Sequence, residues 1–214
     1  MNRELESARH EVAEAGRRMV ADGLVVGTAG NVSVRVGELV AISPSSIPYH
    51  RVRAEDVCVL DLAGSPLEGL DTPPPSSETP MHLAIYAQTG AGSVVHHHGL
   101  ASAAVSTVLD ELPPLHYYAL HLGGPTRVAR YATFGTGELA ESVHAALEDR
   151  TAALMQNHGA VAYGDTLDLA YYRAQLLEWL SALHVQAHSL GTPRALTAAE
   201  LDDVTRHKNE RAAR

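Results

Sequence analysis

Three histidines define the chemistry available to this chain. In Val94-Val95-His96-His97-His98 the side chains of a strand alternate between faces, so His96 and His98 share one face and His97 points to the other. Two imidazoles one strand repeat apart can grip a single cation. A third, His158 in Gln156-Asn157-His158-Gly159, follows another apolar run, and Gly159 allows a close turn beside it. Three histidines with a fourth, exchangeable position is the donor set of catalytic zinc. The H-x-H pair alone is weak evidence. Its weight comes from His158 and from the acidic turn Ser76-Ser77-Glu78 earlier in the chain. Zinc is the expected ion, and the same donors suit another divalent transition metal such as cobalt or manganese.

Glu78 supplies the second element of that chemistry. At a helix N-terminus a carboxylate ordinarily stabilises the helix dipole. Beside a metal-bound carbonyl it would be a general base, removing the proton that the metal makes acidic. Three small polar loops accompany it: Gly27 to Asn31, Ser45-Ser46 and Ser76-Ser77. Each alone reads as a turn or cap. Together they offer hydroxyls and backbone N–H groups that can hold a phosphate without lysine.

Several alternatives fall away. His10-Glu11-Val12-Ala13-Glu14 starts like the zinc-protease H-E-x-x-H but ends in Glu. No acid follows His98 in the manner of an H-x-H-x-D-H hydrolase. His184 and His188, one helical turn apart, read as a helix flank, and His116 and His121 are pocket candidates that spacing alone does not place. The only lysine, Lys208, lies in a polar C-terminal stretch, which removes Schiff-base and phosphate-loop chemistry. Carbonyl chemistry here needs a metal as its electrophile.

The elements that must carry these residues follow from periodicity. Apolar residues at Leu5, Ala8, Val12, Ala15 and Met19 predict a helix over 2–22, stopped by Gly23. Strands are expected at 32–36, 39–43, 56–62, 93–98, 115–120, 152–157 and 160–163, the last two broken at His158-Gly159. Helices are expected at 78–88, 101–109, 136–148 and 166–190, and Thr197-Ala198-Ala199-Glu200 is a capping box for a final one. The fold class is therefore α/β, with about eight or nine short strands and helices around them, in one domain over 1–214.

The bulk properties agree with a small-molecule enzyme. The chain has 214 residues, 45% of them hydrophobic, enough for one sizeable core. A net charge of -9 with scattered arginines argues against nucleic acid or a membrane surface as partner. A lone cysteine, Cys58, excludes an intramolecular disulfide and suits a reducing cytoplasm. The N-terminus lacks a signal-peptide core, and no apolar run approaches the roughly 20 residues of a membrane span. A soluble, cytoplasmic protein is expected.

The ordered motifs resemble the class II aldolase/adducin family. They run from Gly27-Thr28-Ala29-Gly30-Asn31-Val32-Ser33-Val34-Arg35 through Ile47-Pro48-Tyr49, Ser76-Ser77-Glu78, Val94 to His98, His116-Tyr117, Tyr131 to Thr136 and Glu138-Leu139 to Gln156-Asn157-His158-Gly159. The resemblance covers roughly residues 23–200. It implies a three-layer fold with a central, mostly antiparallel sheet, and a homotetramer with sites between subunits. It implies His96, His98 and His158 as zinc ligands, with Glu78 as base and additional ligand. Gly30, Asn31, Ser45, Ser46, Ser76 and Ser77 would hold a substrate phosphate. Tyr117 would act in a neighbouring subunit's site on the aldehyde, and Phe134 would line the aldehyde pocket. The implied reaction is reversible cleavage of a ketose 1-phosphate, L-fuculose 1-phosphate foremost, to dihydroxyacetone phosphate and L-lactaldehyde.

Glu78 distinguishes the aldolase branch of that family from the sugar-phosphate 4-epimerase branch, which resembles it with Asp at this place. An epimerase or dehydratase on a keto-sugar phosphate is thus the second reading. A non-catalytic scaffold like the adducin head is the third, and it has no need of three histidines and Glu78. Two departures stand out. Ser45-Ser46 replaces the Thr-Gly of the aldolase pattern, and residues 206–214 contain no tyrosine of the kind that reaches a neighbouring site. His97 also replaces a smaller polar residue between the two ligands.

Overall fold

In the computed structural model, which describes residues 3–67 and 69–212, eight strands form one sheet in the order β3-β2-β1-β4-β8-β7-β6-β5. The strands are β1 (Asn31–Val36), β2 (Leu39–Ile42), β3 (Cys58–Asp61), β4 (Ser93–His97), β5 (Glu111–Leu112), β6 (Thr126–Ala129), β7 (Ala152–Met155) and β8 (Gly159–Gly164). Every pairing is antiparallel except β6 with β7. Short turns between β1 and β2 and between β7 and β8 require that geometry, since parallel neighbours need a long crossover.

Helices cover both faces. They are α1 (Arg3–Ala21), α2 (Thr79–Gln88), α3 (Leu100–Ser106), α4 (Gly137–Ala146), α5 (Leu167–Leu190) and α6 (Ala198–Ala212). Residues of α1, α3 and α5 pack with Val32, Val59, Val95, Leu154 and Ala160 on one side of the sheet. Those of α2 and α4 pack with Val40, Leu60, Val94, Met155 and Val161 on the other. Val94 and Val95 thus face opposite cores, which is why strand residues here are apolar on both sides. The result is the expected three-layer α/β arrangement. No helix among the described residues is long and apolar enough to cross a membrane.

Most elements lie where periodicity put them. Leu5, Ala8, Val12, Ala15 and Met19 are all buried on α1, and Gly23 follows with φ of 70°. Thr136 caps α4 by accepting from the N–H of Leu139, and Thr166 caps α5 through Leu169. Thr197 and Glu200 make the reciprocal bonds of the capping box at α6.

The expected strand at 115–120 is instead a 3-10 helix, Tyr117–Leu122. Pro113 and Pro114 offer no N–H to a ladder, and the His116 side chain accepts from the N–H of Tyr118, which turns the chain. The strands of this region are β5 and β6, neither marked by a clear alternation. Both are short, and apolar runs of that length do not separate strand from turn.

Candidate metal centre

β4 and β8 lie side by side at the middle of the sheet, and they carry the three histidines to one point. The alternation along β4 turns His96 and His98 to the α2/α4 side, with Val94, and His97 to the α5 side, with Val95. His158 enters from the β7–β8 turn. Its neighbour Asn157 has φ of 55°, and Gly159 is squeezed against β4. The three imidazole centroids are 4.8–4.9 Å apart, each ring edge-on to the others.

Glu78 completes the cluster from the start of α2. It occupies the N-cap position, but its side chain makes no capping bond and is free to point at the histidines. Its Oε2 is 3.0 Å from His96 Nε2, and its Oε1 is 3.4 Å from His158 Nε2. His96 Nε2 and His98 Nε2 are 2.9 Å apart. One ligating atom from each of the four residues lies within 4.8 Å of all the others.

This donor set fits a divalent cation. His96 Nδ1 donates to the Ala160 carbonyl at 2.9 Å, which leaves Nε2 as the lone-pair side of a neutral ring aimed inward. Glu78 Oε1 is buried without a hydrogen-bond partner among the described residues. Four acceptors facing one another at these distances repel unless positive charge lies among them, either as a proton on one ring or as a metal ion. Burial pushes the His98 imidazole down to about 3, with the charges of His96 and His158 adding and Glu78 opposing. His158 falls to about 4 from burial and His96, again against Glu78. Both rings are thus ready ligands at neutral pH. For Glu78, burial alone would raise the carboxyl. His96, His158 and the Asn31 amide outweigh burial and hold it below the ordinary carboxylate range.

A cleft of about 370 Å³ opens onto this cluster. Its lining includes Gly30, Asn31, Ser45, Ser46, Ser76, Ser77, Glu78, His98, Phe134 and His158, so with His96 in the cluster the structure brings together all the proposed site residues but Tyr117. His96 lies behind the wall, fully buried. Tyr117 lies elsewhere, on the 3-10 helix, 43% exposed and stacked on His116 at 4.4 Å between centroids. His116 and His121 are with it in an aromatic patch containing Tyr118, Tyr172 and Trp179. Among the described residues the His184 and His188 rings contact each other, 4.0 Å apart on α5.

The serine loops are laced to each other. Ser45 N–H donates to the Pro74 carbonyl, Ser76 N–H donates to the Ser43 carbonyl, and Pro44 and Pro75 form a bridge. Ser46 sits in the left-handed region, with φ of 62°. Among the described residues no lysine or arginine lines the cleft, so an anion there would be held by hydroxyls, N–H groups and any cation bound beside it.

Further contacts support this arrangement, and of the residues that make them Tyr49, Glu178 and His82 were not anticipated as site residues from the sequence. The Tyr49 hydroxyl donates to the Gly30 carbonyl at 2.6 Å, and burial pushes it up to about 12, so it stays a donor. A Cβ on Gly30 would meet the His96 carbonyl at 2.7 Å, so only glycine lets that loop lie against the metal strand. Glu178 on α5 accepts from the N–H groups of Ala101 and Ser102, at 2.8 and 2.9 Å, and pins the chain just past His98. Each such bond to a charged acceptor contributes about 1.5–3 kcal/mol. Asn31 donates one amide N–H to Glu78 Oε2 at 2.9 Å, which leaves the other for a ligand in the cleft. His82, fully buried on α2, backs Asn31, and its spacing of four from Glu78 was the available signal.

Comparison with known proteins gives consistent matches. The family described as Class II Aldolase and Adducin N-terminal domain matches residues 10–185. The chain is 35% identical over 205 residues to 5-deoxy-D-ribulose 1-phosphate aldolase of Bacillus thuringiensis serovar kurstaki, covering 94% of this chain and 95% of that one. It is 37% identical over 185 residues to L-fuculose phosphate aldolase of Escherichia coli K12, covering 86% and 85%. Among solved structures, an L-fuculose 1-phosphate aldolase superposes with a TM-score of 0.89 at 32% identity, covering 95% of this chain and 96% of that one.

Proposed function

The chain belongs to the class II aldolase and adducin N-terminal domain family, and from that premise we propose that it is a zinc-dependent aldolase that cleaves a ketose 1-phosphate between C3 and C4. The observation that carries this reading is the Glu78, His96, His98 and His158 cluster at the floor of a serine-lined cleft. L-fuculose 1-phosphate would give dihydroxyacetone phosphate and L-lactaldehyde. A 5-deoxyribulose 1-phosphate, the kind of substrate for which another relative is named, would give the same triose phosphate and acetaldehyde. The serine loops would recognise the phosphate of the triose-phosphate half, which both substrates share, and the cation held by the histidines would supply charge to its oxygens.

His96, His98 and His158 would hold the cation, with Glu78 as a further ligand when no substrate is present. Bound there, the ion would supply Lewis acidity, drawing electrons from the ketone and stabilising negative charge on the three-carbon half. Glu78 returns a proton to C3 of that half on cleavage and removes it in the condensation direction. Gly30, Asn31, Ser45, Ser46, Ser76 and Ser77 fix the phosphate, which holds C3 within reach of the carboxylate. Phe134, at the mouth, contacts the aldehyde. Tyr117 lies outside its own chain's cleft, and its exposed aromatic surroundings suit contact with a second copy. We assign it to the aldehyde end of a neighbouring site in a homotetramer acting in the cytoplasm.

The test is incubation of the metal-loaded protein with dihydroxyacetone phosphate and a panel of acetaldehyde, L-lactaldehyde and glycolaldehyde, with product identification by mass. A ketose 1-phosphate formed from at least one of them is the expected result. Absence of any adduct, together with failure to take up a divalent ion, would replace the aldolase with a non-catalytic scaffold.

A further inference from the structure

Glu78 is the end of a buried hydrogen-bonded chain. Glu78, His82 and Tyr86 are spaced four apart and share one face of α2. Asn31 and Ser33 lie two apart on one face of β1. The two rows interleave. Tyr86 Oη lies 2.6 Å from Ser33 Oγ, and Ser33 Oγ lies 2.7 Å from His82 Nδ1. His82 Nε2 lies 2.6 Å from Asn31 Oδ1, and Asn31 Nδ2 lies 2.9 Å from Glu78 Oε2. Ser33 and His82 are fully buried, and Asn31 and Tyr86 nearly so.

The direction of the chain is fixed from one end. An ionised carboxylate only accepts, so Asn31 turns its amide N–H to Glu78 and its carbonyl to His82. That carbonyl only accepts, so His82 carries its proton on Nε2. Nδ1 is then an acceptor, Ser33 donates to it, and Ser33 accepts from Tyr86. Every link donates toward Glu78. The other carboxylate oxygen, Oε1, has no hydrogen-bond partner among the described residues.

We propose that His82 is a positioning residue for the aldolase reaction: its Nε2–H fixes the Asn31 amide, which ties down Glu78 Oε2 and leaves Oε1 as the oxygen that removes and returns the C3 proton. The proposal rests on the aldolase reading above. In it the two oxygens of one carboxylate have different tasks, and the difference is set by a ring that touches neither metal nor substrate. Losing that ring lets the Asn31 amide rotate and the carboxylate with it, which misplaces the base without removing it.

Two variants and one spectrum test this. In His82→Gln the side-chain Nε2 reaches the place of the imidazole Nε2 and can donate to Asn31, whereas in His82→Asn the amide reaches only as far as Nδ1. The expected result is a kcat about ten- to a hundredfold lower in His82→Asn, with KM and zinc content near wild type, and recovery of most of the loss in His82→Gln. Nitrogen-15 NMR of the zinc-loaded wild-type protein should show His82 protonated on Nε2 and bare on Nδ1, and this readout needs neither variant to fold. A ring protonated on Nδ1, or a folded His82→Asn with wild-type kcat, would overturn the proposal. Wild-type protein that turns over no ketose phosphate would instead overturn the aldolase reading, and the role of His82 with it.

Discussion

Gly159 lies so close to His97 that a Cβ built on the glycine would meet the His97 carbonyl oxygen at 2.2 Å. This contact lets the β7–β8 turn ride against β4 and deliver His158 to the two histidines already there. Gly159→Ala forces backbone against backbone, where no rotamer change relieves the overlap. It should destabilise the protein by about 1–3 kcal/mol and weaken metal binding, because His158 moves with the turn. Denaturant midpoints and metal content of the purified variant check both.

Glu78 and His96 should separate base from ligand. Glu78→Gln keeps the size of the side chain and three imidazoles for the cation, so metal content should stay near wild type while kcat falls about 10²–10⁴-fold. His96→Ala should lose the metal itself. Near-native turnover in Glu78→Gln would remove the carboxylate from the mechanism, and undiminished metal in His96→Ala would remove His96 from the ligand set.

Ser46 occupies a backbone conformation with φ of 62°. The left-handed region disfavours a residue with a Cβ by roughly 1–2 kcal/mol, whereas glycine loses about 0.4–1 kcal/mol through the greater freedom of the unfolded chain. Ser46→Gly should therefore be neutral or stabilising, by up to about 1.6 kcal/mol, in thermal unfolding. If its hydroxyl holds the phosphate, KM for the ketose phosphate should rise in the same variant.

Acid should destabilise the fold through His82. Burial, with the charge of His96 adding and Glu78 opposing, pushes this ring from 6.5 down to about 3. Between those values the unfolded chain binds a proton that the folded chain refuses. The contribution is complete above about pH 6.5 and is lost as the pH falls toward 3, with a slope of at most about 1.4 kcal/mol per pH unit. Urea midpoints measured from pH 7 to 4 should fall, and His82→Gln should flatten part of that slope.

The three-histidine cluster was legible in the sequence because it obeys a local rule. Strand alternation pairs His96 with His98, and an apolar run followed by His158-Gly159 marks the third histidine. The buried row of Glu78, His82 and Tyr86 was equally regular, but polar residues on one face of a helix ordinarily signal solvent. Only the strand packed against them, with Asn31 and Ser33 facing the same way, makes that face an interior. Glu178 was invisible for a different reason: it caps α3 from α5, some 77 residues away, and no local pattern reports such a bond. The misread strand at 115–120 failed on competing local chemistry, two prolines and a side-chain cap, that alternation does not weigh.

β4 is paired along both edges, to β1 and to β8, with four strands of the sheet from β8 outward and three from β1 outward. Its amide protons at Val95 and His96 can meet solvent only if the sheet itself splits, so they should exchange for deuterium among the slowest in the molecule, near the rate of global unfolding. The loops of the serine-lined cleft are held by a few bonds and should exchange far sooner. The His96 side of the candidate metal centre therefore belongs to a slowly exchanging part of the fold and the cleft's loops to a faster one, so an ion bound there would leave through the mouth while the wall behind it stays shut.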